Sequence, residues 1–469
     1  MKIKSKWLAI VLGIAMLVTL LAACGGAKEA PETTQTTAGT TTAAPTTAAP
    51  AEKVKITYSF WGSADETKVV QAAMDKFNAS QEKIEVSTMV IPWESYMTKL
   101  NTMATAGELP DTGMMQEASL LQWAKQGVLA DISTMFGEGE AKPLDSLTYK
   151  YEGKPVAYAN ANEILLLYYN KDMFDAASVA YPPASADKAW TWDEFVAAAK
   201  KLTVDKNGKH PDEAGFDSQN IKQYGCLVEN LPWQLETWAI SNGGGYYAKD
   251  GSKVIINEPA SIEGIQKIAD LYLKDHVAPL STGATDDSIQ RSIIAKTCAM
   301  GTGGAWNVGT CLSTAREEGL NYGVAVLPYM KEKVTLCTAG ATAIFNQTKH
   351  LREAMDWVKW YSLEENSWGL IESGIWMPRL DKYYTDETFT HKWVDNPNFP
   401  PYEEYKSAVV DYAKDMNITR SASWFYIVNT VDFNNLLNSV LGDVWTGKTT
   451  AEKAITSNID KLNAAFQGK

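Results

Sequence analysis

Short apolar runs alternate with longer stretches in which apolar residues recur at helical spacing, and this alternation starts at Val54 and continues to Phe466. Residues 54–60, Val-Lys-Ile-Thr-Tyr-Ser-Phe, place an apolar side chain at every second position and predict a strand; residues 84–90 predict another. Between them, residues 66–78 carry an amphipathic helical pattern, and residues 95–105 follow as a second helix. The segment Ala106-Gly107-Glu108-Leu109-Pro110-Asp111 breaks that helix, and a further helix over 120–127 leads into the apolar run 128–132. Thr191 with Glu194 three residues on forms a capping box that opens a helix over 192–202. Residues 262–274, 350–362, 402–415 and 450–466 are also predicted helices. Strands alternating with helices imply an α/β fold built on wound sheets.

The first residues follow a different rule. Lys2, Lys4 and Lys6 precede an apolar stretch from Trp7 to Ala23 that closes on small residues before Cys24, the layout of an export signal over residues 1–23. A membrane-spanning anchor is the alternative, but the stretch is at the short end for spanning. Residues 24–52 are dominated by Ala, Thr, Pro, Gly and Glu, with no large apolar group to offset the entropy of ordering, so they read as a disordered tether.

Composition narrows the classes. A chain of 469 residues, 45% hydrophobic, can bury a large core, and its formal charge of −13 without any basic stripe excludes a phosphate-backbone partner such as nucleic acid. Sixteen Trp and 21 Tyr provide either core volume or flat faces for stacking a ligand. Apart from Cys24 there are Cys226, Cys298, Cys311 and Cys337, without metal-binding spacing; an oxidising exterior permits disulfides among them, and free buried thiols are equally compatible. The loop Asp205-Lys206-Asn207-Gly208-Lys209 begins like a calcium loop but lacks the complete ligand set, and reads as a plain turn.

Leu21-Ala22-Ala23-Cys24 resembles a bacterial lipobox, which implies a lipid on Cys24 and a place on the outer face of the cell membrane. A series of blocks, in order, resembles the family 1 extracellular solute-binding proteins, the maltose-binding-like group serving carbohydrate ABC importers. The blocks are Phe60-Trp61-Gly62, Ala106-Gly107 with Pro110-Asp111, Gly127-Val128-Leu129-Ala130-Asp131, Tyr169-Asn170-Lys171-Asp172-Met173-Phe174, Thr191-Trp192-Asp193-Glu194-Phe195, Ala299-Met300-Gly301 with Gly304-Ala305-Trp306, Tyr322-Gly323-Val324 with Leu327-Pro328, and Trp445-Thr446-Gly447-Lys448. The resemblance implies a two-lobed periplasmic-binding-protein-like α/β fold with a hinge and a ligand cleft between the lobes. It assigns residues 53–170 and 336–385 to one lobe and residues 171–335 and 386–469 to the other. It further implies a sugar or oligosaccharide ligand, an ABC permease as membrane partner, a monomer, and no cofactor.

A sugar offers apolar C–H faces and a rim of hydroxyls, so its site needs flat aromatic rings and side chains that make several hydrogen bonds. Trp61 follows the first predicted strand at its carboxyl end, and Trp306 follows a glycine-rich loop where the family places a stacking aromatic. The resemblance also carries Trp233, Trp424, the acidic Glu163, and the loop residues Gln116 and Glu117; Asn307, Arg379 and Asp65 complete the candidates. Ala118 and Ser119 replace a charged pair of the maltose-binding pattern, which sets maltodextrin itself in doubt. An extracellular glycoside hydrolase would need similar aromatics and carboxylates. Against it, no nucleophile elbow, HExxH or phosphate-gripping motif occurs, and the four His, at 210, 276, 350 and 391, are dispersed. A non-catalytic carbohydrate-binding surface lipoprotein is the other alternative.

Overall fold

The first strand shows how the pattern becomes structure: in β1 (Val54–Phe60), Ile56, Tyr58 and Phe60 are buried while Lys55 faces solvent. In this computed structural model the described residues are 52–469, without 63, 139, 141, 142, 144 and 281–287. The expected export signal, the lipid site Cys24 and the tether up to residue 51 lie outside the described residues.

β1 pairs in parallel with β2 (Ile84–Val90) and β3 (Thr112–Met115). The sheet is completed by β4 (Thr148–Tyr151), β5 (Lys154–Ala159) and, from far along the chain, β12 (Ala341–Ile344), in the order β2-β1-β3-β12-β5-β4. The second sheet contains β6 (Glu163–Asn170), β7 (Val204–Asp205), β8 (Ile221–Leu227), β9 (Cys298–Gly304), β11 (Thr335–Thr338) and β13 (Thr419–Ser421), ordered β13-β11-β6-β9-β8-β7, with β10 (Tyr322–Ala325) also pairing β6. Each sheet carries its own helices, giving the two-lobed α/β architecture that the resemblance implied.

β6 explains its own composition. Leu167 and Tyr169 enter the core on one face of the second sheet, and Ile164, Leu166 and Tyr168 enter the core on the other. A strand covered on both faces reads as a continuous apolar run rather than an alternation. It also corrects the lobe boundary: β6 was expected to close the first lobe at residue 170, yet it pairs with β9 and β11 in the second sheet. Leu336 to Thr338 of β11, likewise expected in the first lobe, also belong to the second sheet, and Met377, Leu380, Tyr383 and Tyr384 pack in a second-sheet core. The physical reason is long-range pairing: the chain changes sheets over the short links 160–162 and 339–340, and which strands pair, not local composition, fixes where a link lies.

The capping box is formed as expected. Thr191 accepts from the Glu194 backbone, Glu194 returns a bond to the Thr191 backbone, and the helix runs Trp192–Leu202. Gly107 ends the helix Tyr96–Ala106 in the left-handed conformation, φ 75°, where a side chain would be strained. Two expected helices are interrupted. Residues 402–415 contain a π-helical stretch, Lys406–Asp411, and residues 450–466 break at Asn458 into Ala451–Ser457 and Ile459–Gln467. Among the described residues no helix is long and apolar enough to cross a membrane.

Candidate functional site

The two sheets are joined where their functional ends meet. In the first sheet, Met115 and Ala159 flank Ala341, so the carboxyl ends of β3 and β5 lie beside the link into β12. In the second sheet, Thr338 pairs with Glu163 and Leu165 with Gly304, so the start of β6 lies beside the carboxyl ends of β11 and β9. Wound sheets leave binding crevices outside such strand ends. The links are tied across: the Asn160 backbone N–H donates to Gly340 O at 2.8 Å, and the Asn162 N–H donates to Met377 O at 3.2 Å.

Glu163 occupies the centre of this seam. Its Oε1 accepts the Met377 backbone N–H at 3.2 Å, and its Oε2 has no hydrogen-bond partner. Burial pushes its carboxyl up to about 8; the Met377 and Trp306 N–H groups oppose the shift and the nearby Glu117 charge adds to it. At neutral pH burial favours the protonated form, able to donate as well as accept.

Three of the expected tryptophans converge. The Trp233 ring lies 6.3 Å from that of Trp306 and 5.7 Å from that of Trp424, with interplanar angles of 38° and 55°. Trp306 follows β9 and folds back over Gly304, where an added Cβ would come within 2.1 Å of the indole. Trp233 is the second residue of the helix Pro232–Ser241, whose Pro sits in the first turn. Trp306 and Trp233 are half-buried, whereas Trp424 is 5% exposed and belongs more to the wall than to the opening.

On the first-lobe side, Trp61 leaves β1 and lies against the crossing link, where a Cβ on Gly340 would sit 3.3 Å from its ring. Gln116 and Glu117 follow β3 at the same sheet end and are half-buried. Two other candidates have structural work instead. Asn307 is fully buried and donates its side-chain amide to Gly304 O at 2.7 Å, stapling the turn that carries Trp306. Arg379, 2% exposed, donates to Tyr361 O and to Ser367 Oγ, while its backbone N–H donates to Glu364 Oε1 at 2.8 Å. Asp65 lies in the helix Ala64–Ser80, but its side chain is outside the described residues.

Sequence reasoning missed two groups. Glu236 sits one helical turn after Trp233, buried, and its Oε2 accepts from the Ser423 hydroxyl at 2.9 Å; burial pushes its carboxyl up to about 7, against that bond. The i, i+3 spacing from Trp233 was the available signal. Trp376 packs against both the first-lobe core and a second-sheet core, directly before Met377; nothing local distinguished it from an ordinary core aromatic.

The Asp205 carboxylate accepts the backbone N–H groups of Asn207, Lys209 and Asp217 at 2.7–2.9 Å, which makes that loop a turn stapled by its own aspartate. Cys226, Cys298 and Cys337 are free, buried thiols. No cluster of His, Cys, Asp or Glu suited to a metal occurs among the described residues. A cavity of about 850 Å³ lies elsewhere, lined by Trp192 and Lys200 of one helix and Lys267 and Asp270 of another; its Lys200 is already paired with Asp212 and Asp275 at 3.2 and 3.3 Å.

Known proteins share this fold. The family model described as bacterial extracellular solute-binding protein matches residues 61–368, more than half of the chain. A Brucella abortus protein described as a binding protein is 26% identical over 294 residues, covering 59% of this chain and 64% of its own length. The chain thus spans less than two thirds of that relative. The sn-glycerol-3-phosphate-binding periplasmic protein UgpB of Brucella abortus is 24% identical over 328 residues, 68% of this chain and 69% of its own length. Among solved structures, an ABC substrate-binding protein of Listeria monocytogenes in complex with cycloalternan superposes with a TM-score of 0.71 at 23% identity, over 89% of this chain and 100% of that one.

Proposed function

We propose, for a chain that belongs to the family of bacterial extracellular solute-binding proteins, that its solute is a neutral sugar or oligosaccharide held at the seam between the two sheets and handed to an ABC permease. The family is one of binding proteins rather than enzymes. The observation that carries the sugar reading is the convergence of the tilted Trp233, Trp306 and Trp424 rings, with the buried Glu163 carboxyl beside the Trp306 backbone. Indole faces suit the C–H faces of a sugar, and an acid that both donates and accepts suits its hydroxyls.

The relative that binds sn-glycerol-3-phosphate suggests a phosphorylated solute instead. The seam itself argues against it here, because no Lys or Arg side chain is among the described residues that border it, whereas the Glu117 charge lies near Glu163 and would repel a phosphate. In this reading Trp61, Gln116, Glu117, Glu163, Trp233, Trp306 and Trp424 line the site, and solute favours a closed arrangement of the lobes by its differential affinity for it.

Calorimetric titration against mono- and oligosaccharides, with sn-glycerol-3-phosphate as the contrast, tests this directly. Saturable binding of a neutral sugar supports it; binding of the phosphate ester alone overturns it. The remaining elements of the reading are lipidation at Cys24, a tether and residence on the outer face of the membrane, resting on the sequence of residues 1–52, and a monomeric state, resting on the resemblance alone. Replacing Cys24→Ser and following the protein between membrane and soluble fractions tests the anchor, with release expected.

A further inference from the structure

We propose that Trp93 is a specificity-determining residue, forming with Trp61 an outer subsite of the first lobe for an additional sugar ring, so that the solute is an oligosaccharide rather than a single sugar. This rests on the sugar reading above and goes further by fixing the size class of the ligand.

Trp61 and Trp93 leave neighbouring parallel strands at the same sheet end. Phe60 of β1 pairs with Val90 of β2, and the Ile91 N–H donates to Phe60 O at 3.0 Å, so the ladder runs one bond past the strands before both chains turn away. Pro92, with φ −56° and ψ 143°, then delivers Trp93 as the first residue of a short helical turn, Trp93–Ser95. The two indole centroids are 5.0 Å apart with their planes at 70°, so they form a corner that offers one ring face and one ring edge. The corner is rigid from behind: Tyr96 is fully buried, lies 4.9 Å from the Trp61 ring at 80°, and shares a 2.9 Å hydrogen bond with the Ser59 hydroxyl.

Trp93 is 43% exposed, and its ring contact is with Trp61. Single exposed apolar residues are common and need no explanation. This one differs because it lies edge-to-face with a tryptophan that borders the crossing link at Gly340, continuing the site outward from the seam. A pyranose resting against Trp61 would have its neighbour along the glycan within reach of Trp93, whereas a lone monosaccharide near Glu163 would leave Trp93 in water.

The experiment compares wild type, Trp93→Ala and Trp93→Phe by calorimetry, using glucose, mannose and galactose and the trisaccharides maltotriose, cellotriose and mannotriose, with melting temperature recorded for each protein. The expected result is that wild type prefers a trisaccharide to its monosaccharide, that Trp93→Ala loses about tenfold of that preference while monosaccharide affinity and melting temperature hold, and that Trp93→Phe recovers part of it. Equal affinities of wild type and Trp93→Ala for every sugar bound would overturn the subsite and leave the sugar reading standing. A wild type that binds monosaccharide as tightly as trisaccharide would overturn it too. Failure of every sugar to bind wild type would remove the sugar reading, and the subsite with it.

Discussion

Glu163 Oε1 accepts the Met377 backbone N–H at 3.2 Å, which joins the first residue of β6 to the segment that brings the chain back from the first-lobe helices to the second-sheet core. One buried acid therefore senses both the seam and a crossing between lobes. Its elevated proton affinity makes the stability of the protein depend on pH.

The sign follows from linkage. The Glu163 carboxyl titrates at 4.5 when unperturbed and at about 8 in the fold, so the folded state holds a proton that the unfolded state has lost over that interval. Its stabilising contribution is complete below pH 4.5 and declines as pH rises toward 8, by on the order of a few kcal/mol. Glu236, at about 7, acts in the same direction over a narrower range. Chemical denaturation between pH 5 and 9 (about the interval just derived) should show falling stability, and Glu163→Gln should flatten that slope.

Gly304 permits the Trp306 indole to lie on the strand backbone, since an added Cβ would overlap the ring at 2.1 Å. Gly304→Ala should displace the ring and weaken solute binding at least as much as Trp306→Ala, roughly ten- to a hundredfold for each. Circular dichroism should show that Trp306→Ala keeps the fold, and titration calorimetry measures the affinity.

Arg379 should behave as a structural residue. Its guanidinium is buried with Ser367 and the Tyr361 carbonyl, 5.8 Å from the Trp376 ring; its loss removes the donor to these two groups and the cation facing Glu364, whose backbone donors remain. Arg379→Ala is expected to cost roughly 3–5 kcal/mol of stability, read by urea denaturation. Retained stability with abolished binding would instead return Arg379 to the ligand site.

Ser423 anchors the Glu236 carboxyl beside Trp424 through bonds of 2.9 Å from its hydroxyl and 3.4 Å from its backbone N–H. Ser423→Ala should cost about 1 kcal/mol, because one neutral donor to a buried acid is lost while the backbone donor remains. The same change should raise the Glu236 carboxyl further above its present position, extending the pH-dependent loss of stability upward.

Local chemistry made much of this legible. The strands Val54–Phe60 and Ile84–Val90 and the capped helix Trp192–Leu202 follow from alternation and from Thr191 with Glu194, all short-range features. The lobe assignment of β6 was not legible, because a strand buried on both faces has the same sequence in either sheet and only its pairing with β9 and β11 decides. Trp233, Trp306 and Trp424 could be nominated by resemblance, but their convergence depends on contacts between residues far apart in the chain. Arg379 could not be told from a ligand-binding arginine, since its partners Tyr361, Glu364 and Ser367 become neighbours only through the packing of intervening helices. The protonation of Glu163 was equally hidden, being a consequence of burial.

Solute contact by both sheets is the central claim, and titrating the tightest-binding sugar into wild type, Trp61→Ala and Trp233→Ala tests it most directly. Trp61 follows β1 of the first sheet, and Trp233 lies in the helix after β8 of the second. Both variants, checked for native fold, should lose about tenfold or more in affinity. Undiminished affinity in either one would mean that the sugar is held by a single lobe, contrary to the account given.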